Sequence, residues 1–134
     1  MRVLGVDFGG SRTGLALSDP LGVTCSPLAT IVEKDEDRLV ASIVAAADEQ
    51  GVTQIVVGLP RPLGGGSNRQ SEAAEAFRDR LEHKTTVPVR MWDERFTSKL
   101  AARGRSGANG QDAIAACYML QSYLDSLANF TEDS

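Results

Sequence analysis

The stretch Val3-Leu4-Gly5-Val6-Asp7-Phe8-Gly9-Gly10 decides how this chain folds. Its apolar residues form a nearly continuous run of aliphatic, β-branched and aromatic side chains. This pattern favours a buried strand over a surface helix. Gly9 and Gly10 end that strand, and residues 11–14 lead into a second apolar run at 15–17. A glycine-rich turn between two short apolar runs predicts a β-hairpin.

Asp7 is the one charged residue within the first apolar run. A carboxylate in a buried strand costs several kcal/mol unless it is paired, hydrogen-bonded or bound to a cation. One interpretation is structural: a strand-end Asp that accepts backbone N–H groups from the turn at 9–13. The other is functional: a metal ligand held on a central strand. The functional interpretation requires further ligands from elsewhere in the chain.

Length and composition indicate one ordinary globular domain. The chain has 134 residues, of which 42% are hydrophobic and 24% charged, which suits one substantial core and not two. We expect a single domain over residues 1–130 and a disordered tail at 131–134. No apolar run reaches the ~18 residues of a membrane span, and no signal-peptide pattern follows Met1. The sequence therefore predicts a cytoplasmic protein, with Cys25 and Cys117 as reduced thiols.

Charge is distributed unevenly along the chain. The net charge is −4, but the segment from Arg61 to Arg105 carries ten basic and six acidic residues, a local charge of +4, against −8 for the remainder. A locally basic face on an acidic protein can contact phosphates, although strong affinity for nucleic acid of any sequence is not expected. A solvated surface of mixed charge explains the same counts equally well.

Hydrophobic periodicity divides the rest of the chain into strands and helices. Residues 23–32 contain a predicted strand, and Pro27, which interrupts it, suits an edge position better than a central one. A helix that ends at Gly51 separates the first hairpin from a buried strand at 53–59, and such a crossover makes that strand parallel to the first. Four further elements complete the pattern: a helix over 67–81, a strand over 87–92, a short helix that Thr97 can cap, and a helix from near Asn109.

Three other features are not predicted to be sites for a metal, a nucleotide or a nucleophile. The acidic residues at 33–37 precede the first helix, where negative charge stabilises the helix dipole, so we interpret them as capping residues. The glycine-rich loop at 61–67 lacks the arrangement of a nucleotide P-loop. His83, the sole histidine, follows the helix over 67–81, and no His-based nucleophilic triad is predicted.

Two further carboxylates are candidates to join Asp7. Glu94 follows the fifth predicted strand, and Asp112 lies in the first turn of the final helix. If the first, fourth and fifth strands are neighbours, the three can meet at one end of the sheet. Three carboxylates within a few ångströms of one another repel strongly unless divalent cations or protons neutralise them. Structural alternatives stay open: Asp112 can stabilise the helix dipole by ~0.3–1 kcal/mol, and Glu94 can pair with Lys99.

Four short motifs follow one another along most of the chain: Gly5-Val6-Asp7-Phe8-Gly9 with Arg12-Thr13-Gly14, Val57-Gly58-Leu59-Pro60, Asp93-Glu94-Arg95-Phe96-Thr97-Ser98, and Asp112 with Ala115-Ala116 and Leu120-Gln121-Ser122-Tyr123-Leu124-Asp125. Together they resemble the YqgF/RuvX family of RNase H-like nucleases, whose members are described as pre-16S rRNA nucleases or Holliday junction resolvases. The resemblance implies an α/β, RNase H-like fold. Its five-stranded mixed sheet would have three antiparallel and then two parallel strands, with helices on both faces.

The resemblance also assigns site residues. The family's catalytic, metal-binding acids match Asp7, Glu94 and Asp112. The hypothesis is phosphodiester hydrolysis assisted by two Mg²⁺ or Mn²⁺ ions, with Asp7 bridging the ions and the other two acids completing their shells. The basic residues expected to hold the phosphates of structured RNA, or of branched or single-stranded DNA, are Arg12, Arg61, Arg95, Lys99, Arg103 and Arg105.

Two segments depart from the family's pattern. The loop at 61–67 has Pro62 and three glycines where the family carries Asn and an acidic or Asn residue. The segment between Arg95 and Asp112 is shorter than usual and lacks most of the family's basic residues. The difference in the loop leaves its substrate contacts unassigned. The missing basic residues predict a lower affinity for nucleic acid or dependence on a homodimer.

The expected function is 5′-end processing of pre-16S rRNA in ribosome biogenesis. The first alternative is a Holliday junction resolvase-like DNA endonuclease in recombination or repair. A non-catalytic RNA-binding or ribosome-assembly factor is another. The third alternative is an ATP-phosphate-binding protein, because Asp7-Phe8-Gly9-Gly10 with Thr13-Gly14 also resembles the first phosphate loop of the actin and sugar-kinase superfamily. That superfamily needs a second lobe, for which 134 residues leave no room.

Overall fold

The computed structural model describes residues 1–59, 68–93 and 111–132, and within the last helix the side chains of residues 112–128. The strands are β1 (Val3–Asp7), β2 (Arg12–Ser18), β3 (Cys25–Val32), β4 (Gln54–Leu59) and β5 (Val89–Asp93). The helices are α1 (Glu36–Gln50), α2 (Arg69–Lys84) and α3 (Gln111–Glu132).

The five strands form one mixed sheet in the order β3-β2-β1-β4-β5. The first three are antiparallel neighbours, β4 is parallel to β1, and β5 is parallel to β4. This confirms the predicted RNase H-like arrangement of three antiparallel and two parallel strands. Within the described part of the chain, no helix is both long and apolar enough to cross a membrane.

Alternation along β1 sends its side chains into two separate cores. Leu4 and Val6 belong to the cluster that includes residues of α1 and α2, whereas Val3 packs with residues of α3. Gly5 faces α3 as well, because a Cβ placed on it would stand 2.9 Å from the Cβ of Leu120. Helices therefore cover both faces of the sheet, as predicted, with α1 and α2 on one side and α3 on the other.

Each of the two edge strands has a proline within it or directly before it. β3 (Cys25–Val32) lies within the stretch 23–32 predicted to contain it, and its pairing with β2 shifts register near Pro27, as suits an edge strand. β5 begins at Val89 instead of residue 87, directly after Pro88, which has no N–H to donate to the ladder. In both strands a proline limits the regular pairing.

Capping residues define both ends of α1. The Asp35 carboxylate accepts N–H bonds from Asp37 and Arg38 at 2.9 and 3.2 Å. Gly51, with φ of 63°, closes the other end of α1. The acidic segment before α1 therefore serves its N-terminus, as predicted.

The predicted bounds of α2 are shifted toward the C-terminus. It begins at Arg69 because Asn68 and Ser71 form a reciprocal capping box. It continues to Lys84, one turn beyond the predicted end, so His83 lies in its last turn. A cationic last turn suits the helix dipole.

The last helix, α3, runs to Glu132 and so includes the first two residues of the predicted tail. Residues 133–134 lie outside the described part of the chain. The middle of α3 contacts the edge strand β3, where the Sγ atoms of the free thiols Cys25 and Cys117 are 3.2 Å apart. Two residues 92 positions apart thereby join α3 to the antiparallel half of the sheet.

Candidate active site

Asp7 is the last residue of β1 and lies at the carboxyl end of the parallel strands. Since side chains alternate along a strand, Asp7 shares the face of Val3 and Gly5, which α3 covers. The residue is half-buried. The central strand of the sheet therefore presents this carboxylate on the side of α3.

Gly14 brings the start of α3 onto the first hairpin. Gly14 is paired directly with Asp7 across β1 and β2. A Cβ placed on Gly14 would overlap the backbone carbonyl of Asp112 and stand 2.8 Å from the backbone nitrogen of Ala113. Because Gly14 contacts Asp112 and is paired with Asp7, the two acidic residues lie on the same face at the same end of the sheet.

Arg12, the first residue of β2, reaches the same place. Its Nε donates to Oδ2 of Asp112 at 2.8 Å. The two side chains are 41% and 32% exposed, and an ion pair this exposed adds at most about 1 kcal/mol to the free energy of unfolding. The structure therefore holds a predicted phosphate contact against a predicted metal ligand, at little gain in stability.

The end of β5 is attached to α3. The Nε1 of Trp92 donates to Oγ of Ser122 at 3.2 Å. The Trp92 ring meets Tyr123 edge to face, with ring centroids 5.6 Å apart. Because β5 runs parallel to β4 and β1, its last residue, Asp93, lies at the same sheet end as Asp7.

Six of the predicted site residues lie outside the described part of the chain: Glu94, Arg61, Arg95, Lys99, Arg103 and Arg105. Glu94 is the residue directly after Asp93. Among the described residues, no group of three or more His, Cys, Asp or Glu side chains could hold a metal ion. The structure thus brings two of the three predicted acids to one place, and the role of Glu94 stays a prediction.

The chemistry of the two described acids fits a hard divalent cation. Asp7 and Asp112 offer carboxylate oxygens, the ligands that Mg²⁺ and Mn²⁺ prefer over nitrogen or sulfur. With the Arg12 guanidinium, the formal charges of these three side chains sum to −1. A third carboxylate would raise the negative charge and strengthen the requirement for a cation.

Sequence reasoning did not identify two features of the site. It gave no role to Gly14, although a glycine inside an apolar strand often marks the close approach of another backbone. It assigned Arg12 to phosphate alone, because nothing in the sequence indicates a contact between residues 100 positions apart.

Comparisons with known proteins agree with this architecture. A family model described as "RuvX: Holliday junction resolvase" matches residues 1–126. A protein of Clostridium kluyveri named "Putative pre-16S rRNA nuclease" is 39% identical over 136 residues, covering 96% of this chain and 99% of the relative. One of the same name from Clostridium acetobutylicum is 37% identical over 135 residues, covering 95% and 100%. The solved structure of Thermus thermophilus RuvC with a Holliday junction substrate has a TM-score of 0.61 at 16% identity, covers 96% of both chains, and supports the fold.

Proposed function

This chain belongs to the RuvX family, and from that premise we propose that it is a divalent-metal-dependent nuclease that processes the 5′ end of pre-16S rRNA. A nuclease function follows from the family and from the names of its relatives. The metal dependence, the residues that carry the reaction and the ribosomal substrate are our proposal. Because rRNA matures where ribosomes are assembled, the proposal includes a cytoplasmic location.

The observation that carries the proposal is the convergence of Asp7 and Asp112. The two are separated by more than a hundred residues, yet Gly14 is paired with one and contacts the other. The Arg12–Asp112 ion pair does not by itself explain why Asp112 lies there, since a pair this exposed stabilises a protein only weakly. Two carboxylates on one face at one end of the sheet favour a cation that binds both.

In the proposed mechanism Asp7 and Asp112 hold divalent cations together with Glu94, which follows β5 directly. When bound, such ions activate the attacking water and balance the charge that develops on the phosphate. The contribution of the chain is to fix its oxygen ligands. Asp7 is held by its strand, and Asp112 is held by the contact of α3 with Gly14.

The phosphates on either side of the scissile bond are proposed to contact basic residues outside the described part of the chain: Arg61, Arg95, Lys99, Arg103 and Arg105. Arginine and lysine contacts to phosphate position a nucleic acid without reading its bases. We therefore expect selectivity to follow the shape of the substrate. A second copy of the chain would extend this surface, and the homodimer stays a prediction.

The second candidate is cleavage of four-way DNA junctions, favoured by the description of the matching family model. We place it second because the relatives at 37–39% identity, which match this chain over nearly their full length, are both named for pre-16S rRNA. The two candidates share one active site and differ only in substrate. One experiment can therefore separate them.

That experiment incubates the purified chain with end-labelled pre-16S leader RNA and with a four-way DNA junction, in Mg²⁺, in Mn²⁺ and in EDTA. We expect metal-dependent cleavage of the leader. Asp7→Asn and Asp112→Asn should each lower the cleavage rate by at least about a hundredfold, because each replaces a charged carboxylate that would hold the catalytic cations. Asp48→Asn is the matched control, since Asp48 is an exposed residue of α1 on the other face of the sheet.

Three results would contradict the proposal. Cleavage of the junction alone would assign the chain to the second candidate. Binding of the leader without cleavage in either metal would indicate a non-catalytic assembly factor. A wild-type rate in Asp7→Asn would remove Asp7 from the mechanism.

A further inference from the structure

We propose that Arg12 is the counter-charge of Asp112 in the metal-free protein, and that a divalent cation at Asp112 releases the Arg12 guanidinium to a phosphate of the nucleic acid. This inference rests on the metal site of the proposed function. It gives Arg12 a second position, because the structure has its Nε 2.8 Å from Oδ2 of Asp112. Metal binding and nucleic-acid binding would then be coupled through one side chain.

The first step of the argument is competition for one carboxylate. A cation bound by Asp112 and the guanidinium of Arg12 both require its oxygen lone pairs. They also repel each other, because a unit positive charge lies close to a divalent one. Loading of the site with a cation therefore weakens the Arg12–Asp112 pair.

The second step is the freedom of the Arg12 side chain. The backbone of Arg12 is fixed, since it is paired with Val32 of β3. Its side chain is 41% exposed, so the guanidinium can turn toward solvent without disturbing the core. A planar guanidinium released beside a nuclease site matches the geometry of a phosphate.

The third step is reciprocity. If a cation frees Arg12 for phosphate, then phosphate bound by Arg12 must favour the cation by the same factor. In the metal-free protein the guanidinium is held on Asp112, and nucleic acid loses that contact. Arg12 would thus favour binding of nucleic acid to the metal-loaded protein.

The test first measures Mn²⁺ and Ca²⁺ binding to the free protein by calorimetry, without nucleic acid. Arg12→Gln should bind both cations about tenfold more tightly than the wild type, because it removes both competitor and repulsion. Arg12→Lys keeps the charge and should stay close to the wild type. Arg80→Gln is the matched control, since Arg80 pairs with Asp37 at 3.4 Å between α1 and α2 and should leave both affinities unchanged.

The second measurement is the affinity for end-labelled pre-16S leader RNA, in Ca²⁺ and in EDTA. Arg12→Gln should weaken binding about tenfold in Ca²⁺, where a charged contact to phosphate is lost, and by much less in EDTA. Asp112→Asn, which frees Arg12 without metal, should strengthen binding in EDTA. That gain should shrink in the double variant Asp112→Asn/Arg12→Gln, as expected for two coupled residues.

Several outcomes would overturn the inference. Weaker or unchanged cation binding in Arg12→Gln would show that Arg12 is not a competitor at Asp112. Equal losses of RNA affinity in Ca²⁺ and EDTA would make Arg12 a permanent phosphate contact. Failure of the wild type to bind Mn²⁺ would overturn the metal site of the proposed function and this inference with it. Thermal unfolding of each variant checks that it is folded.

Discussion

Gly14 determines how near α3 can come to the hairpin, and it does so by lacking a side chain. It lies between Asp7, its partner in the strand ladder, and the first turn of α3. Any Cβ there meets backbone atoms of Asp112 and Ala113, which cannot rotate away as a flexible side chain could. The spacing of the two acids is therefore set by a residue that carries no chemistry.

Gly14→Ala should destabilise the fold and damage the site together. Overpacking of this kind typically costs 1–3 kcal/mol, so we expect the free energy of unfolding in urea to fall by about that amount. Mn²⁺ binding should weaken as well, because Asp112 must shift. Gly10→Ala is the matched control: a Cβ on Gly10 meets no heavy atom within 4 Å. A Gly14→Ala protein as stable as the control would contradict the close packing of α3.

Single residues differ in how much of their role the sequence reveals. Asp7 could be singled out from sequence, since a charge in an apolar run is costly whatever surrounds it. The Arg12–Asp112 pair could not be, because it joins residues 100 positions apart and depends on where α3 crosses β2. Local energetics predicts which residues need a partner, whereas only the tertiary structure supplies it.

The secondary structure elements follow their sequence patterns closely, because each pattern has a local cause. Period-two alternation divides β1 between two cores, and capping residues fix where α1 and α2 begin. The start of β5 depends on Pro88 and the start of α2 on Asn68, and each of these causes is local. The packing of α3 on the sheet has no such local cause, so only the tertiary structure reveals it.

The contact between β3 and α3 predicts the reactivity of one cysteine. Burial, with a hydrogen bond to Cys117 as the second cause, raises the pKa of the Cys25 thiol above its ordinary value of 9.0. A raised pKa leaves less thiolate at pH 8, and the thiolate is the nucleophile. Cys25 should therefore react with iodoacetamide far more slowly in the folded protein than in urea, as followed by peptide mass spectrometry.

The same pKa shift has a consequence for stability. Because the folded state holds the Cys25 proton more tightly than the unfolded state, this group stabilises less as pH rises above 9.0.

Alkylation of Cys25 at the same rate with and without urea would show that β3 and α3 do not cover it.

On the scale of the whole molecule, the two cores lie on opposite faces of one sheet. The two clusters share β1, β2 and β4, whose side chains alternate between them. The single domain over residues 1–130 remains a prediction, and cooperative unfolding tests it. In urea, far-UV circular dichroism and tryptophan fluorescence should give one coincident transition, since Trp92 packs with the α3 core. Two separated transitions would indicate independent units.

The central claim is that this fold gathers acidic residues from distant parts of the chain into a site for divalent cations. Its most direct test is anomalous diffraction from crystals of the protein grown with Mn²⁺. We predict an anomalous peak within bonding distance of the carboxylates of Asp7 and Asp112, with Glu94 as a further ligand. No peak at Asp7 under saturating Mn²⁺, or a peak that contacts neither Asp112 nor Glu94, would contradict the account.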